Sequence, residues 1–85
     1  MRLNKKYSIE DLNGTPILVD TTGEWTGIVK CKGSMRVVID CLQNGITEGE
    51  LLRVLCDTYD APESVLKNDL ESVIKTLQSI NALEE

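Results

Sequence analysis

The residues able to do chemistry here are few: Cys31, Cys41 and Cys56, paired carboxylates such as Glu48 and Glu50, Ser72 in "NDLESV", and the lysines of "GIVKCK". The three cysteines are odd in number and widely spaced, so they form neither a disulfide framework nor a CxxC redox or zinc pair. They read as reduced thiols of a cytoplasmic protein. The sequence has no histidine, which removes Ser-His and Cys-His nucleophiles and any histidine-containing metal site. No GxxxxGK[ST] phosphate loop and no GxGxxG follows a strand. Glu48 and Glu50 are placed as charges favoured by a helix N-terminus. An acyl carrier holds its cofactor on a serine that opens a helix, whereas Ser72 falls mid-helix. No catalytic residue, no metal ligand and no cofactor is expected, and the protein is not expected to be an enzyme.

What must position the remaining side chains is one small domain spanning residues 1–85. A chain of 85 residues buries only about 60 to 65% of its unfolded surface and supports one modest core. An apolar share of 41%, with two prolines and six glycines, argues against a disordered chain. No apolar run reaches the roughly 18 residues of a membrane span, and "MRLNKKYSIEDLNG" lacks the apolar centre of a secretory signal, so neither membrane insertion nor export is expected. The net charge of −5 is uneven: residues 1–38 hold six basic and four acidic side chains, and residues 39–85 hold three basic and ten acidic ones.

Hydrophobic period changes along the chain, from alternation over about residues 5–32 to helical spacing over about 34–83. "KYSIEDL", a turn at "NGT" and "PILVDT" predict a hairpin, and Ile28–Lys32 predict a third strand after a connection holding Trp25. Ser34 is positioned to cap a first helix whose Met35, Val38, Ile39 and Leu42 share a face, with Gly45 past its end. Thr47 and Glu50 have capping-box spacing at the second helix, and Ile46 and Leu51 suit a hydrophobic staple around them. Leu51, Leu52, Leu55 and Tyr59 form its apolar stripe. Asp60 and Glu63 repeat the box spacing before a third helix over about 62–80, with Pro62 in its first turn. The fold class is α+β, a three-stranded antiparallel sheet followed by a three-helix bundle.

That order of elements also describes a winged helix-turn-helix, whose third helix lies in the DNA major groove. Residues 62–80 carry Lys67 and Lys75 against Glu63, Asp69 and Glu71, with no arginine, which disfavours phosphate contact and base readout. The third helix has a core stripe of Leu66, Leu70, Val73, Ile74, Leu77 and Ile80. Beside it Val65, Asp69 and Thr76 fall within about 40° of one another, continuous with Val73. This strip is either a half-buried helix edge or a binding face. The third strand has a free edge in a three-strand meander, and Lys30 and Lys32 serve there either to repel added strands or to meet acidic side chains on a docked peptide.

The succession "GTPILVD", "GIVKCKGSMRVVIDCLQNGITEGELLRVLCDTYD" and "VLKNDLESVIKTLQSINALEE" resembles the PqqD-like family of peptide chaperones over nearly the whole chain. The resemblance implies a winged-helix-like domain that binds the leader of a ribosomally made precursor peptide by strand addition and presents it to a modifying enzyme. In such systems that enzyme is, for example, a radical SAM maturase or a leader peptidase, among other modifying enzymes. It places the leader beside the third strand at Ile28, Val29, Lys30, Cys31 and Lys32, and its side chains against Val65, Asp69, Val73 and Thr76. A winged helix-turn-helix module for DNA or protein interaction is the alternative. The chain departs from the family where Cys31-Lys32 replaces the usual Leu-Asn, whose asparagine helps to cap the first helix. Trp25 covers the sheet end or anchors a partner, and Cys31 packs with Val29 on the face opposite Lys30.

Overall fold

The structure, a computed structural model, describes residues 1–84. In chain order the elements are β1 (Arg2–Leu3), β2 (Tyr7–Leu12), β3 (Thr15–Asp20), β4 (Ile28–Lys30), α1 (Ser34–Leu42), α2 (Glu48–Thr58), α3 (Glu63–Ser79) and β5 (Leu83–Glu84). The architecture is the expected α+β one, winged-helix-like, with an antiparallel β2-β3-β4 sheet ahead of three helices. Asn13 and Gly14 both take positive φ, +53° and +86°, the geometry a two-residue hairpin turn demands between twisted strands. The Asp11 carboxylate accepts from the Gly14 N–H and closes it.

Register decides which side chains the helices cover. Ile9, Leu18 and Val29 stand in one cross-strand row and Tyr7 faces Asp20 in the next. This inner face, with Cys31 continuing β4, meets Val38, Ile39 and Leu42 of α1, Leu51 and Leu55 of α2, and Leu66, Leu70, Ile74 and Leu77 of α3 in one core. The Tyr7 hydroxyl donates to the Ile80 carbonyl and ties the sheet to the end of α3. Every buried side-chain nitrogen or oxygen among the described residues has a hydrogen-bond partner, as a core this small requires.

Several local expectations are corrected. The helical region does not run on to residue 83: Asn81 takes φ +58°, and Ala82 N–H bonds Leu77 O while Asn81 N–H bonds Gln78 O. That is a Schellman stop. The chain after it forms β5, which pairs with β1 in a second, two-stranded sheet that alternation did not reveal. The third expected strand is β4, and it ends at Lys30 rather than Lys32 because the Lys32 and Gly33 carbonyls already accept from Met35 and Arg36 in the first turn of α1. Ser34 does not cap α1. Gly33, at φ +57°, holds the N-cap position without a side-chain bond. The second capping box is also absent, since Pro62 is the N-cap of α3 and Glu63 its first residue. The Thr47–Glu50 box is present in full.

Candidate functional site

β4 pairs with β3 on one side only. The Cys31 N–H bonds Pro16 O at 2.8 Å, and antiparallel ladders alternate, so Val29 is the next residue whose backbone turns to β3. The backbone groups of Ile28 and Lys30 therefore point to the free edge. Their side chains stand on the sheet face away from the helices, where Ile28 is 48% exposed. Lys30 and Lys32 are exposed and take part in none of the ion pairs among the described residues. Such an edge is short and carries lysines, yet its polar backbone is open to an added strand.

The flank of α3 is more open than a half-buried edge, and Val73 and Ile80, expected in the core stripe, are only half-buried. Val65 is 53% exposed, one of three large apolar side chains so placed. Asp69 and Thr76 are exposed and Val73 is half-buried. Leu66, Leu70, Ile74 and Leu77 hold the buried side. The Thr76 hydroxyl donates to the Ser72 carbonyl within the helix, so it is partly satisfied without a partner.

A cavity of about 240 Å³ joins Val65, Leu66 and Asp69 to Ser34, Tyr59 and Ala61. Ser34 opens α1 four residues beyond the end of β4. The structure thus brings Val65 and Asp69 together at the mouth where strand becomes helix. Val73 and Thr76 lie further along α3, outside this hollow. Ile28 and Lys30 do not line it either. Sequence reasoning missed Ser34, Tyr59 and Ala61 as lining residues: Ser34 had the type of a cap and Tyr59 that of a core stripe. The signal was the short connection "YDAP", which folds α2 back onto α3 and must border the first turns of α3.

Cys31 stands elsewhere. Its side chain is 2% exposed and lines a different hollow of about 230 Å³ between the β2–β3 hairpin and α1, with Arg36 and Asp40 on its rim. Burial raises its thiol pKa, with the nearby Asp40 charge adding to the effect and Arg36 opposing it, so the thiolate is disfavoured. Val29 likewise points its side chain inward. All three cysteines are free. Among the described residues no group of three His, Cys, Asp or Glu side chains is placed to hold a metal ion, and no helix is long and apolar enough to cross a membrane.

No protein-family model and no curated protein matches the sequence. Two solved structures share its fold. TbiB1, in complex with the TbiA(beta) leader peptide, superposes with a TM-score of 0.82 at 14% identity, over 99% of this chain and 95% of that one. Lasso peptide synthetase B1, complexed with the leader peptide, does so with a TM-score of 0.79 at 13% identity, over 99% of this chain and 96% of that one. The fold implied by the PqqD-like resemblance is therefore the fold observed, and it is shared end to end with two proteins that hold a leader peptide.

Proposed function

We propose that this chain is a non-catalytic peptide-recognition domain that binds the leader of a ribosomally made precursor and presents it to a modifying enzyme. The observation that carries the reading is the unpaired edge of β4, together with an exposed flank on α3, in a fold shared over its whole length with two leader-bound proteins. A leader strand pairs with the backbone of Ile28 and Lys30, in line with β4, and so lengthens the sheet by one strand. Lys32, exposed just past the strand, adds a second positive charge at its end. Val29 and Cys31 serve through the interior, holding the strand against β3 and the core. The second wall is Val65, Asp69, Val73 and Thr76, with the hollow at Ser34 and Tyr59 taking a leader side chain at the end of the groove.

Backbone pairing is indifferent to sequence, so affinity comes largely from the strand and selectivity from the helix wall. The enzyme that receives the leader is a peptide-modifying enzyme such as a radical SAM maturase or a leader peptidase. The test is an amide chemical-shift titration of labelled protein with a synthetic peptide of the leader encoded beside this chain's gene. Shifts concentrated in residues 28–32 and 65–76 are expected, and shifts confined to α2 would overturn the geometry.

A further inference from the structure

The connection from β3 to β4 is organised around one buried carboxylate. Asp20 is 5% exposed. Its Oδ1 accepts from the Thr22 N–H at 2.8 Å and the Thr22 hydroxyl at 2.6 Å, and its Oδ2 accepts from the Trp25 N–H at 3.0 Å. The Lys6 ammonium stands 3.7 Å from that Oδ2 and 3.2 Å from the Glu24 carboxylate. Thr21 adds its N–H and its hydroxyl to the Lys6 carbonyl. Residues 20–25 are thereby fixed to one another and to the residue that precedes β2.

The effect of this staple is delivered at β4. The Trp25 indole lies over Gly27 so closely that a Cβ there would stand 2.5 Å from Cζ2, and its ring centroid is 6.2 Å from that of Tyr7. β4 begins at the next residue, is three residues long and pairs with β3 alone. An edge strand this short frays unless both ends are held. The far end is held by the Cys31 N–H bond to Pro16 O and the buried Cys31 side chain. The near end is held by Trp25 on Gly27.

We infer that Asp20 is a positioning residue for peptide binding: through Trp25 and Gly27 it holds the free edge of β4 in strand geometry before a peptide arrives. This rests on the reading of β4 as the docking edge. Asp20 itself lies on the inner face and does not meet the peptide. A pre-formed edge spares the complex the conformational entropy of ordering the strand, so loosening the staple lowers affinity even in molecules that remain folded.

Two variants approach the staple from different ends. Asp20→Asn keeps the side-chain shape but removes the charge and one acceptor oxygen, and Gly27→Ala displaces the indole while leaving Asp20 intact. Three quantities are compared with the parent: the melting transition, amide hydrogen exchange at Val29 and Cys31 in the free protein, and affinity for the synthetic peptide of the leader encoded beside the gene, per folded molecule. Both variants are expected to speed exchange at Val29 and Cys31, leave α2 and α3 amides unchanged, and bind about tenfold more weakly, the effect of ordering roughly one backbone residue. A lowered melting temperature with unaltered β4 exchange and affinity would reduce Asp20 to a structural role and overturn the inference, and Gly27→Ala alone decides the matter should Asp20→Asn fail to fold. The parent protein separates the two levels. Peptide-induced protection of residues 28–32 in the parent, with variants that bind equally well, defeats only the positioning role, whereas no protection in the parent defeats the docking reading with it.

Discussion

Thr47 and Glu50 satisfy each other at the start of α2, hydroxyl to Glu50 N–H and carboxylate to Thr47 N–H. The Thr47 hydroxyl bond is also the largest cause holding the Glu50 carboxyl below the usual range. Thr47→Ala is expected to cost about 1 kcal/mol of stability by denaturant unfolding, with peptide affinity per folded molecule unchanged, because the box lies away from both proposed walls. Asp20 contributes to the pH response as Glu50 does. Its folded pKa is lowered, first by the Thr22 hydroxyl bond and then by the Thr22 and Trp25 N–H groups and Lys6, against the opposing effect of its own burial. A depressed carboxyl contributes stability that is present above its unfolded pKa of about 3.9 and is lost as pH falls through the lower folded value. The gap in melting temperature between the parent and Asp20→Asn should therefore hold steady above about pH 5 and narrow as pH falls below about 4, and a gap that does not change in the acid range would show that the charge contributes nothing. Of these two residues only Thr47 was legible in the sequence. Ser34 and Asp60 offered capping residues of the right type, but Gly33 and Pro62 hold the N-cap positions. Asp20 in "VDTTGEW" has the look of a turn aspartate, and its burial comes from Lys6 and Trp25, which no local pattern connects to it.

At the scale of elements, the hairpin and the three helices follow from periodicity because each is a local pattern with a core face. The β1–β5 pair was not legible, since two residues of strand carry no period and their pairing joins Arg2 to Glu84 and Leu3 to Leu83, at opposite ends of the described chain. The site divides the same way. Angular placement on α3 set Val65, Asp69 and Thr76 beside the core stripe, as a half-buried edge or a binding face, and all three are exposed rather than half-buried. The hollow that adds Ser34 and Tyr59 depends on how α1 and α2 meet α3, which only the packed molecule reveals. The wall makes a direct prediction. Val65, more than half exposed, tolerates Val65→Asp with a stability change within about 0.5 kcal/mol, while leader affinity falls strongly as an apolar contact is lost and a second carboxylate joins Asp69 in the wall. Val73→Asp should weaken binding as well, but Val73 is half-buried against the core, so its folding is checked first. Lys30→Ala on the other wall should produce a smaller loss, present with an acidic leader and diminished by salt. Isothermal titration at two ionic strengths separates these outcomes, and equal losses from Val65→Asp and Lys30→Ala at both would contradict the division of labour between helix and strand.

At the scale of the molecule, an identity of 13 to 14% accompanies superposition over 99% of the chain, so what is shared is the fold, a pattern of elements. That pattern is also compatible with DNA-binding winged helices, and electrostatics separates the two uses. Most of the negative charge falls in residues 39–85, where ten acidic side chains oppose three basic ones, and that half contains α2 and α3. A helix entering the major groove must instead gain from neutralising phosphates, with each contact releasing counterions and steepening the salt dependence. On α3 the exposed Lys67 and Lys75 are offset by Glu63, Asp69 and Glu71, and no arginine is present to make the bidentate contact to guanine. The β4 edge, with Lys30 and Lys32, is by contrast the more positive of the two proposed walls. Fluorescence anisotropy with labelled duplexes at physiological salt should therefore give at most feeble, sequence-independent binding, while the labelled leader peptide binds under the same conditions. Sub-micromolar affinity for one defined duplex, with no response to the leader, would reverse the assignment of the groove and make α3 a reading helix after all.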